Sequence, residues 1–257
     1  MKRFIMFACL CFMAACQSTD QNSFVPIDRG TFDTFTRSLN SRSYAYQVMQ
    51  DPTAMAPTRL IERFELRSGD CGADSGWNDC ATDRERVELS QRGIRIPAGS
   101  REWYSWWIYF PDDYSVAYPA KTTLGQFHQQ SSHPVWMFGM HRDGSYVLDE
   151  KVLGVARQRY PLIGPRDLRG KWHKIEVFAH WSKKADGQFS VWVNGQEKLN
   201  YSGQTMTATR VYFKYGIYRS FISRYKEETG IPVLPTQVVY YAGVRRADTR
   251  EELQFKY

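Results

Sequence analysis

The stretch Val211–Arg219, V-Y-F-K-Y-G-I-Y-R, constrains the fold more than any other part of the chain. It consists almost wholly of β-branched and aromatic residues, interrupted by Lys214 and Gly216, and so predicts a β-strand. Side chains alternate along a strand. Val211, Phe213, Tyr215 and Ile217 therefore make one apolar face, fit for a core, and Tyr212, Lys214, Gly216 and Tyr218 make the other. The second face offers a cation, phenols and a glycine whose missing side chain leaves room for close approach to the backbone. It is either the floor of a binding cleft or the solvated side of an edge strand.

The rest of the chain reads in the same period. Tyr44–Met49 and Arg59–Arg67 predict strands, the latter with Leu60, Phe64 and Leu66 inward and its charges on the open face. In Asp83–Ser90, Val87 and Leu89 oppose Arg84, Arg86 and Glu88, and three charges on one strand face must meet water, each other or a ligand. Trp103–Phe110 is apolar on both faces and belongs in the middle of a sandwich. Thr122–Gln130 sets Gln126, His128 and Gln130 against Phe127. Val135–His141, Ser145–Val155, Trp172–Trp181, Gln188–Val193 and Val238–Arg245 complete the strands. Asn194-Gly195 is the strongest hairpin signal, and residues 220–236 read as a polar loop. About a dozen strands with little helix, and no internal repeat, predict an all-β chain whose residues 26–257 form a single β-jelly-roll sandwich.

Residues 1–16 read as a targeting segment: Lys2 and Arg3, an apolar run, then Met13-Ala14-Ala15-Cys16. Small residues directly before a cysteine resemble a bacterial lipobox, which would acylate Cys16, anchor the protein to membrane lipid and place it in the bacterial cell envelope. An ordinary signal peptide is the alternative. Residues 17–25 form a polar tether. Cys71 and Cys80 then remain as a pair in an oxidising compartment, and a disulfide is expected; two thiols without a nearby histidine do not complete a zinc site.

The net charge of +7 falls to +5 without Lys2 and Arg3, and the basic residues are dispersed. Such a field favours a polyanion. No Lys/Arg cluster or zinc spacing points to nucleic acid, and the 8 Trp and 16 Tyr suit an acidic polysaccharide better. The expected partner is that polysaccharide, bound by a monomer.

His128, Tyr218 and nearby cations or amides are what β-elimination of a uronate polymer needs. The C5 proton is weakly acidic beside a carboxylate, so a cation or donor must stabilise the developing charge while a base takes the proton and an acid protonates O4. No G-x-S-x-G elbow is present. Glu62 and Glu65 cannot share a strand face, which disfavours glycoside hydrolysis. His133, His141, His173 and His180 read as structural.

Six segments in order resemble the polysaccharide lyase family of heparin lyase I and the glucuronan lyases: R-F-E-L-R-S-G-D-C (63–71), D-R-E-R-V-E-L (83–89), Q-F-H (126–128), G-K-W-H (170–173), D-G-Q-F-S-V-W-V-N-G (186–195) and Y-F-K-Y-G-I-Y-R (212–219). The resemblance implies a concanavalin-like jelly roll with a concave sugar groove. It makes His128 and Tyr218, with Lys214, the catalytic residues. Arg86 and Glu88 match the family's R-x-E strand, and Arg84, Gln126 and Arg219 complete the expected substrate contacts. No cofactor is implied, and the calcium of heparin lyases cannot be placed on any matching motif. The final strand departs from the family, because Tyr240-Tyr241 lead to Ala242-Gly243 where an acidic residue often follows. A non-catalytic sugar-binding lipoprotein on the same scaffold is the rival reading.

Overall fold

The computed structural model describes residues 27–91 and 95–254; the expected targeting segment and tether, with Cys16, lie outside them. In chain order the strands are β1 (Phe35–Ser38), β2 (Tyr46–Gln50), β3 (Leu60–Leu66), β4 (Arg84–Gln91) and β5 (Ile96–Pro97). Then come β6 (Arg101–Tyr109), β7 (Lys121–Gln129), β8 (Pro134–Met140), β9 (Tyr146–Glu150) and β10 (Arg159–Ile163). The last are β11 (Trp172–His180), β12 (Gln188–Val193), β13 (Gln196–Ser202), β14 (Arg210–Ser220) and β15 (Gln237–Ala247). A helix, α1 (Ile222–Thr229), follows β14.

These strands form two antiparallel sheets. The first runs β1-β4-β14-β7-β8-β9-β10, with β5 also on β14; the second runs β13-β12-β11-β6-β15-β3-β2. Their facing sides interdigitate in a largely aromatic core. Phe127, Tyr104, Trp106 and Phe213 are all almost fully buried, and Trp136 stacks flat on Phe189 at 4.0 Å between ring centroids. Doubly apolar β6 is central in its sheet, as its sequence requires. At the β12–β13 hairpin, Asn194 and Gly195 take φ values of 51° and 81°, the left-handed pair that such a turn demands. The fold is the jelly-roll sandwich.

The organising strand β14 turns Val211, Phe213, Tyr215 and Ile217 into the core. Gly216 does not leave its gap open to a ligand. At φ 125° a Cβ there would stand 2.3 Å from the Val87 carbonyl oxygen and 2.8 Å from the Phe64 ring, so the protein interior fills the space. Gly216→Ala combines overpacking with a backbone angle hostile to side chains and is expected to cost on the order of 3 kcal/mol or more; chemical denaturation measures it.

Glu62 also departs from expectation. It is not on the open face of β3 but in the core beside Phe64, where Tyr215 donates to it at 2.9 Å, Tyr46 at 2.7 Å and Arg29 at 2.7 Å. Residues 220–236 are not all loop: I-S-R-Y-K-E-E-T makes α1, invisible to periodicity because none of its residues is buried.

Candidate active site

The outer face of the first sheet carries a cleft of about 740 Å³. Its floor is the outward set of β4, β14 and β7. Register places Tyr218 beside Arg86 on β4, Lys214 beside Gln126 on β7, and Tyr212 beside His128. One extra residue of β14 against β7, between Tyr215 and Tyr218, forms a bulge next to this floor, a device that re-aims side chains at sites. Eight Lys or Arg residues and a single Asp line the cleft. A second cleft of about 500 Å³ lies over β7–β10 and shares Lys121, Met137, Lys151 and Arg157 with the first, so the two make one cationic trough.

The Tyr218 phenol accepts a hydrogen bond from Arg84 Nε at 2.7 Å, and the Arg86 guanidinium lies over its ring at 4.5 Å. Burial raises the phenol's pKa; Arg86 and Arg84 oppose that without cancelling it. Tyr218 is thus a protonated phenol near neutral pH with cations ready to receive a phenolate. Arg86 is itself gripped by Asp79, through Nε to Oδ2 and Nη2 to Oδ1, both at 2.6 Å. Its Nη1 reaches Glu88 at 3.3 Å.

Glu88 lies under the floor, 1% exposed. Lys214 Nζ stands 2.7 Å from its Oε2, and the Gln126 amide donates to Oε1 at 2.5 Å. Burial alone would raise this carboxyl, but Lys214 and Arg86 hold it below the usual range. Glu88 is therefore a buried counter-ion rather than a substrate contact. Lys214 stands in an ion pair and not as a free cation. Gln126 has one amide hydrogen committed and a second left for a ligand. Of the three charges that looked costly on β4, Arg86 and Glu88 are neutralised by one another, by Asp79 and by Lys214, while half-buried Arg84 bonds the Tyr218 hydroxyl and the Thr82 carbonyl.

His128 Nδ1 lies 2.8 Å from the Gln129 carbonyl oxygen. A carbonyl can only accept, so Nδ1 carries the proton and the lone pair sits on Nε2. The ring packs on Tyr212, whose hydroxyl is 3.2 Å from Nδ1. Burial pushes the His128 pKa down to about 4, only partly offset by the Gln129 bond, so the ring is a neutral base at neutral pH. His133, read as structural, also lines the cleft.

Arg219 is corrected most plainly. Its side chain is fully buried on the opposite side of β14 from Tyr218, 2.6 Å from Glu85 and 2.6 Å from the Pro235 carbonyl oxygen. It cannot touch a ligand in the cleft. Asp79, which no sequence pattern singled out, is the residue that fixes Arg86. It sits on the loop closed by the expected Cys71–Cys80 disulfide, whose Cα atoms are 5.2 Å apart. Reducing that bond is expected to remove about 2–3 kcal/mol of stability and to slow turnover by freeing Asp79; thermal unfolding and activity with and without reductant check both.

The structure is thus a two-sheet antiparallel sandwich with a cationic trough on one face. The family model described as polysaccharide lyase matches residues 27–245, and the chain belongs to that family. An endo-β-1,4-glucuronan lyase from the fungus Trichoderma reesei is similar at TM-score 0.60 and 15% identity, over 88% of this chain and 96% of that one. The family 7 alginate lyase AlgAT5 is similar at 0.55 and 15%, over 80% and 82%. A family 7 alginate lyase A1-II′ variant in complex with product is similar at 0.56 and 11%, over 80% and 84%. These are likenesses of fold. No curated protein matches the sequence.

Proposed function

We propose that this lyase cleaves a uronate-containing polysaccharide by β-elimination. The observation that carries the reading is a main cleft lined by eight cations and one carboxylate, floored by a neutral histidine and a phenol bonded to arginine. The lyases of similar fold act on glucuronan and alginate, both acidic chains. In the proposed step His128 Nε2 takes the C5 proton. The C5–H electrons form the C4=C5 double bond, the C4–O4 bond breaks, and Tyr218 gives its phenolic proton to O4. The second Gln126 amide hydrogen and the cations of the floor hold the carboxylate as charge develops on it. Arg84 stabilises the phenolate that remains.

A panel of glucuronan, alginate and neutral β-glucans tests this. Products with ultraviolet absorbance are expected from the uronate polymers alone; binding without cleavage on all of them would favour the lectin reading. We further propose a Cys16 lipid anchor in the cell envelope, on the strength of the Met13-Ala14-Ala15-Cys16 sequence. Loss of membrane association in Cys16→Ser tests it.

A further inference from the structure

Among the described residues three aromatic side chains are strongly exposed: Trp77 at 44%, Tyr118 at 47% and Phe221 at 40%. All three line the trough, Trp77 and Phe221 in the main cleft and Tyr118 in the adjoining one. A chain that buries or half-buries every other described aromatic thus leaves these three facing the same channel. Exposed apolar surface concentrated in one cleft marks a binding surface.

Trp77 and Phe221 are also held in place. The Trp77 indole donates to Asp79 Oδ1 at 2.8 Å, and Asp79 is the fully buried anchor of Arg86. Arg84 lies 5.3 Å from the indole ring, and the disulfide closes the loop beneath it. Phe221 sits at φ 60°, ψ 44°, a left-handed conformation unfavourable for a bulky side chain. Its N–H bonds the Asp83 carbonyl at 3.1 Å, and the Asp83 carboxylate takes the backbone and hydroxyl hydrogens of Ser223, both at 2.8 Å. Strain is thus maintained to keep a phenyl ring at the rim. The Arg224 guanidinium lies over the Phe221 ring at 4.1 Å, and Arg84, beside the Trp77 ring, has Ser220, the neighbour of Phe221 and two residues from Tyr218, as its register partner.

We propose that Trp77 and Phe221 form a sugar-stacking subsite at the Tyr218 end of the trough, taking the C–H face of a pyranose ring next to the cleaved bond. Aromatic rings supply large rigid contact area at low entropic cost, while the surrounding arginines read the carboxylates. The proposal rests on the reading of the protein as a uronate lyase.

Calorimetric titration of the Tyr218→Phe protein, which should not consume ligand, tests it with two probes: a uronate hexasaccharide and a neutral β-1,4-glucan hexasaccharide. Trp77→Ala and Phe221→Ala in that background should each weaken uronate binding about tenfold. Trp77→Phe, which keeps a ring and loses the bond to Asp79, should retain most of it. In the active enzyme the alanine substitutions should act on KM more than on kcat. Unchanged affinity in both alanine variants, with cleavage by the wild type intact, would overturn the subsite and leave the lyase reading standing. Trp77-dependent binding of the neutral probe by a protein that cleaves no uronate polymer would uphold the subsite and overturn the uronate reading. No binding of either saccharide would overturn both.

Discussion

Tyr218→Phe is expected to lower turnover on the true substrate by at least 10²- to 10⁴-fold, the usual contribution of a general acid–base group. The substitution keeps the ring on which Arg86 stacks at 4.5 Å and removes only the hydroxyl. What is lost in the folded state is one bond from Arg84 Nε, and Arg84 is only partly buried, so water can replace it. The melting temperature should therefore barely move. A barrier increase without a stability change separates proton transfer from structural support. Near-normal turnover in this variant would remove Tyr218 from the chemistry.

His128→Ala is expected to be comparably inactive, and its pH behaviour makes the role specific. Free enzyme reports its ionisation in kcat/KM, so the acid limb of the wild type should fall near the depressed His128 value of about 4. A bound carboxylate favours the imidazolium and raises that pKa, so the limb seen in kcat should lie higher. The same group affects stability. Its folded pKa lies below the unfolded value of about 6.5, so the unfolded chain binds more protons between the two. Its contribution is complete above about pH 6.5 and is lost as the pH falls toward 4. The variant should show a shallower acid decline in denaturation midpoint.

The face of β14 was legible because a period of two needs no partner to be read: Tyr212, Lys214 and Tyr218 out, Val211, Phe213, Tyr215 and Ile217 in. Arg219 follows the same period inward, and its burial could not be read because its counter-ion Glu85 comes from β4, 134 residues earlier in the chain and brought opposite only by long-range register. Glu88, expected as a substrate contact, and Lys214, expected as a catalytic cation, could not be read as partners for the same reason. Pairing across strands made them one buried ion pair. Gly216 was rightly singled out and wrongly explained, since the side from which its Cβ is excluded depends on φ rather than on alternation. Asp79 carried no signal at all, because its partners Arg86 and Trp77 become visible only when the disulfide loop is folded back against β4. Cys71–Cys80 and the Asn194-Gly195 turn were readable locally, as short-range features are.

The most direct measurement counts bonds. Wild-type protein is incubated with a uronate polymer that it depolymerises, and new reducing ends are compared with new ultraviolet-absorbing unsaturated uronates. β-Elimination predicts one unsaturated residue per new reducing end, with both signals abolished together in Tyr218→Phe. Reducing ends that appear without unsaturation would mean that water, and not elimination, breaks the chain, and would contradict the account.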